Sequence, residues 1–108
     1  MPDLMQLTIF AGQVNTKFQA SPGADQTVEL ELTGATDLGS TARHEQFSLS
    51  FRGPLDAYLP QRMYRLEHGV LGSLDLFLVP VGRATSGFSY EAVFNRLVEL
   101  TETKETVL

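Results

Sequence analysis

The chain has 108 residues, of which 43% are apolar and 19% charged, with no cysteine and a formal net charge of −5. That length suits one domain, large enough to bury a single core without a disulfide or structural metal. The absence of cysteine excludes a disulfide framework, a zinc ribbon and a thiol nucleophile. The negative balance and dispersed Arg and Lys disfavour nucleic acid and anionic membrane as partners.

The start, MPDLMQLTIFAGQ, has no basic region followed by a long apolar run, and no stretch approaches the ~20 apolar residues of a membrane helix. The cytoplasm is therefore the expected compartment. Ile9, Phe10 and Val14 stand at near-helical spacing, so Thr8 to Val14 reads as a short helix with Thr8 as its N-cap. Thr16–Ala20 reads as a first strand, stopped by the turn cluster Ser21-Pro22-Gly23. Val28, Leu30 and Leu32 then alternate with Glu29 and Glu31, the pattern of a half-buried strand. Thr33 to Ser40, with two glycines, reads as a loop.

Gln46–Arg52 alternates again, with Phe47, Leu49 and Phe51 inward, and Gly53-Pro54 ends it. Leu55–Gln61 is expected to cross an end of the sheet, with Leu55, Tyr58 and Leu59 spaced as one helical turn over the core. Met63–His68 places Tyr64, Leu66 and His68 on one face, and Met63, Arg65 and Glu67 on the other. Leu74–Val81 is apolar on both faces: Leu74, Leu76 and Leu78 on one, Phe77, Val79 and Val81 on the other. Pro80, lacking an amide donor, is expected near a strand end or on an unpaired side. Gly82 to Gly87 reads as a hairpin loop. Phe88–Asn95 is the last strand, with Phe88, Tyr90, Ala92 and Phe94 on one face.

Six strands with short connections predict an all-β fold, a small antiparallel six-stranded barrel or sandwich closed at one end by a short N-terminal helix. Parallel pairing would need longer crossovers. The last three strands are expected to form a meander. One β domain spans residues 1–100, and 101–108 reads as a flexible tail.

Four blocks stand out: F-x-L-x-F-R-G-P, Y-x-L-E-H, L-D-L-F-L-V-P-V-G and Y-E-A-V-F-N, together covering about half the chain. They resemble a bacterial family of small β domains of unknown function. The resemblance implies a short stand-alone bacterial domain, sometimes beside phage-tail-like proteins, and implies no reaction, cofactor or site residue. The sequence departs from it at Arg62-Met63, where a Gly-containing turn is more usual.

Templates for chemistry fit poorly. His44 and His68 are the only histidines, and adjacent Glu67 and His68 face opposite ways on a strand, so no metal site is assigned. No G-x-S-x-G elbow is present, and Ser73 near His68 does not make a triad. Glu29, Glu31, Asp75 and Glu91 read as solvated positions rather than paired catalytic carboxylates. Glycine spacing matches no phosphate loop. Cross-strand ion pairs are expected between Arg52 and Glu67, or Arg65 and Glu91.

Two functional expectations follow. The first is a non-enzymatic interaction or assembly domain, a homodimer being the commonest such arrangement, using Phe77, Val79 and Val81 as its interface. The alternative is a small-ligand-binding barrel or enzyme with a site near Tyr64, His68, Tyr90 and Glu91. No catalytic residue, cofactor or metal is assigned, and the expected partner is a protein or a second copy.

Overall fold

The computed structural model describes residues 6–23, 25–39, 41 and 44–97. After one short helix, α1 (Gln6–Ala11), come six strands: β1 (Lys17–Gly23), β2 (Gln26–Asp37), β3 (His44–Gly53), β4 (Arg62–His68), β5 (Gly72–Ala84) and β6 (Gly87–Leu97). They close into an antiparallel barrel in the order β1-β2-β3-β6-β5-β4. Closure removes the free edges that an open sheet of this size would expose. The last three strands form the expected meander.

Alternation places the core. Phe18 and Ala20, Val28, Leu30 and Leu32, Phe47, Leu49 and Phe51, Tyr64 and Leu66, Leu76 and Leu78, and Tyr90 and Ala92 all point inward and are buried. Each set has the period of two that a pleated strand imposes. The rings of Phe18 and Phe51 meet edge-on, with centroids 5.4 Å apart, across the interior.

The helix differs from its expected position. It runs from Gln6 to Ala11, so Thr8 lies within it and its carbonyl accepts the Gly12 amide. Asn15, at φ 77°, turns the chain out toward β1. The strands also run further than sequence punctuation suggests. β1 continues through Ser21-Pro22-Gly23, because a bulge between Ala20 and Gly23 spares the ladder with β2 from needing a donor at Pro22. β2 continues to Asp37: a bulge between Leu32 and Gly34 takes up Thr33, and Gly34 to Asp37 pair with Ser50 to Phe47. In β5, Pro80 sits inside the strand beside a bulge between Pro80 and Gly82, and the strand continues to Ala84. Cooperative pairing with a neighbour outweighed weak local propensity in each case.

The two ends of the barrel are built differently. At one end lie α1, the start of β1, the end of β6 and the β4–β5 turn. At the other lie the β1–β2 and β5–β6 turns and the segment Pro54–Gln61. That segment forms no helical turn over the core. Leu59 alone plugs the barrel, 1% exposed, while Leu55 and Tyr58 remain exposed. The expected tail, 101–108, lies outside the described residues.

Candidate functional site

The Pro54–Gln61 end is sealed by two tyrosines. The buried Tyr90 hydroxyl accepts a hydrogen bond from the Leu59 amide at 3.0 Å. The Tyr64 hydroxyl donates to the Pro60 carbonyl at 2.5 Å. Burial raises the pKa of both phenols; the Arg62 guanidinium opposes this at Tyr64, and the Leu59 amide opposes it at Tyr90. Arg62 lies 4.9 Å from the Tyr64 ring centroid and donates to the Pro22 carbonyl at 2.5 Å, tying β4 to the end of β1. Two glycines permit this closeness. A Cβ at Gly53 would sit 2.7 Å from Leu30, and one at Gly87 would sit 2.2 Å from the Gly53 carbonyl oxygen. Gly87 also has φ +145°, a conformation side chains rarely adopt.

His68 belongs to the opposite end. It stands four residues beyond Tyr64 on β4, a run of about 13 Å. Its Nδ1 accepts the Val70 and Leu71 amides at 3.0 and 3.1 Å. Its Nε2 lies 2.9 Å from the Thr16 hydroxyl oxygen. That hydroxyl spends its one hydrogen on the Gln13 carbonyl at 2.6 Å, so Nε2–H must be the donor to Thr16. The imidazole, packed 4.3 Å from Phe18, thus pins the β4–β5 turn to the segment after α1. Glu91 points outward on β6, opposite Ser50 on one side and Val79 on the other. Of Tyr64, His68, Tyr90 and Glu91, then, the structure brings only the two tyrosines together, with both hydroxyls engaged by backbone.

Glu45 carries a role that sequence reading missed. It is buried, and its carboxylate accepts the Leu7 amide at 3.0 Å, holding the start of α1. A negative group suits that position. Extending the alternation of Phe47, Leu49 and Phe51 back by one step puts Glu45 on the inner face, the signal that would have found it. His44, by contrast, bonds Asn95 on the exposed side.

Ion pairs follow strand order and differ from the expected ones. Arg52 bridges to Glu31 at 3.3 Å and Arg65 to Asp75 at 2.5 Å, because β3 neighbours β2 and β4 neighbours β5. The Arg65 hydrogen bond lowers the pKa of Asp75 and raises that of Arg65. Lys17 and Glu29 form a further pair at 3.7 Å. All three are exposed enough to contribute little. Among the described residues no three His, Asp or Glu side chains cluster as metal ligands, and no helix is long and apolar enough to cross a membrane.

What remains is apolar and outward. Phe77 is 46% exposed and Val81 56%, with Val79 partly exposed between them. Met63, the cross-strand partner of Phe77, is 58% exposed, and Val93 on β6 is 60% exposed. Met63, Phe77, Val79 and Val81 form a stripe over β4 and β5, while Val93 stands on β6 beyond the last β5–β6 pair. The sequence placed Met63 on an outward face, but only the pairing register joins it to Phe77.

Beside the stripe the barrel wall opens. Among the described residues the β5–β6 ladder starts at Val79↔Glu91 and runs only toward the β5–β6 turn. Gly72–Leu78 pair with β4 alone, and Ala92–Leu97 with β3 alone. Between the parted strands and α1 lies a cavity of about 420 Å³, lined by Ile9, Phe10, Leu71, Leu74, Leu76 and Phe94, with Asp75 at its rim.

These features define a small closed β-barrel with a plugged end, an apolar outer stripe and an open seam. The family described as a domain of unknown function (DUF6916) matches residues 5–94, and the chain belongs to it. No curated protein and no solved structure matches the chain.

Proposed function

We propose that this barrel is a non-enzymatic assembly domain that associates with a second copy of itself through the outer stripe of Met63, Phe77, Val79 and Val81. The observation that carries this reading is the exposure of those residues as one group. Single exposed apolar side chains are ordinary, but a contiguous group on one face marks an interaction surface. The four side chains are uncharged, with Glu91 opposite Val79 and the paired Arg65 and Asp75 beside Met63 and Phe77 as a polar rim. A two-fold pairing of identical strands is the simplest closed arrangement. It suits the setting that the sequence resemblance implies, a short bacterial domain sometimes beside phage-tail-like proteins.

Sedimentation velocity tests the reading. The wild-type chain should show a concentration-dependent dimer, and Phe77→Asp should sediment as a folded monomer. A wild-type chain that stays monomeric at millimolar concentration overturns it.

A further inference from the structure

We propose that the seam between Gly72–Leu78 of β5 and Ala92–Leu97 of β6 is a binding site for an extended, uncharged polypeptide segment of another protein, which adds there as a seventh strand. Two observations specify that occupant. The first is the pair of strand edges that face each other without a ladder between them. Backbone N–H and C=O groups along such edges are satisfied best by another extended backbone, which a small apolar molecule cannot supply. The second is the cavity behind the seam, about 420 Å³ and walled by Ile9, Phe10, Leu71, Leu74, Leu76 and Phe94. A strand inserted there turns every second side chain into that cavity, so alternate residues should be apolar. Among the described residues the only charged one in the lining, Asp75, is already paired with Arg65, so the lining matches an uncharged segment.

Among the described residues the alternating apolar segments are used within the six strands. The open edge of β5 is seven residues long, and no seven-residue stretch of VELTETKETVL has apolar side chains at every second position. The occupant proposed is a segment of another protein that has that alternation. The site takes side chains into the barrel, whereas the outer stripe, which shares Phe77 with this edge of β5, faces outward.

The probe is an end-blocked synthetic heptapeptide, TVTVTVT, compared with the same sequence N-methylated at alternate residues. Binding is followed by amide hydrogen exchange on the whole chain and on Met63→Asp. That variant disrupts the stripe on β4 and leaves both seam edges untouched. The expected result is exchange slowed about tenfold along Gly72–Leu78 and Ala92–Leu97 with the unmodified peptide, in both proteins, and no slowing with the methylated one. Equal protection by both peptides would mean apolar capture without strand addition, and would overturn the proposal. So would protection confined to Met63, Val81 and their neighbours, or no protection. Because Met63→Asp keeps the seam, loss of self-association there with peptide protection retained would separate this proposal from the dimer reading.

Discussion

The two ends of this barrel solve the same problem in opposite ways. At the Pro54–Gln61 end, Leu59 plugs the opening, Tyr64 and Tyr90 anchor the plug, and Gly53 and Gly87 let strands approach to contact distance. At the α1 end, the helix is held by two polar pins, Glu45 and the His68–Thr16–Gln13 chain, and the strands beside it part around a cavity. The sealed end invests its polar groups in closure. The other end leaves apolar side chains and strand edges available. Stability should therefore concentrate at the first and strand capture by the seam at the second, with the outer stripe of β4 and β5 running between them.

The largest test of this contrast is Gly87→Ala. A methyl group there would overlap the Gly53 carbonyl oxygen and force a strained φ, so the substitution should cost about 3 kcal/mol in urea unfolding. Tyr90→Phe comes next. It leaves the buried Leu59 amide without its acceptor and should cost about 1–3 kcal/mol. Both phenols have raised pKa values in the folded protein, so their contribution is fully present below the ordinary tyrosine value of about 10 and is lost as pH rises through the folded values. The wild-type chain should thus lose stability above about pH 10, and Tyr90→Phe should lose less.

Smaller effects belong to the α1 end. Glu45→Ala removes the acceptor for the first turn of a six-residue helix and should cost about 1 kcal/mol. Its signature is faster amide exchange in α1 while the sealed end stays protected. Asp75→Asn should have the smallest effect. The Asp75 pKa is lowered by Arg65, so its contribution is present above the ordinary carboxylate range and lost as acid titrates it. Wild type and variant should converge in thermal scans at low pH, and the exposed pair should matter little even at neutral pH.

Much of this architecture is legible in the sequence, because alternation is a strong signal. Leu30, Phe51, Leu66, Leu78 and Tyr90 all face inward as their spacing requires. Strand ends were harder to read. Gly34, Pro22 and Gly82 look like stops, yet bulges carry β2, β1 and β5 past them. Strand order was not legible either, since β3 pairs with β6 across 33 residues of intervening chain, and so neither were the ion-pair partners. Phe77, Val79 and Val81 can be picked out by their second apolar face. Their union with Met63 depends on register, which no local pattern carries.

The account rests on the outer stripe as the surface where copies meet, and the Met63 methyl group is its most direct reporter. In a methyl-labelled sample diluted from millimolar to micromolar concentration, the Met63 resonance should move progressively while the buried Leu66 methyls hold still. A Met63 resonance that stays fixed over that range, in a folded protein, would contradict the central claim.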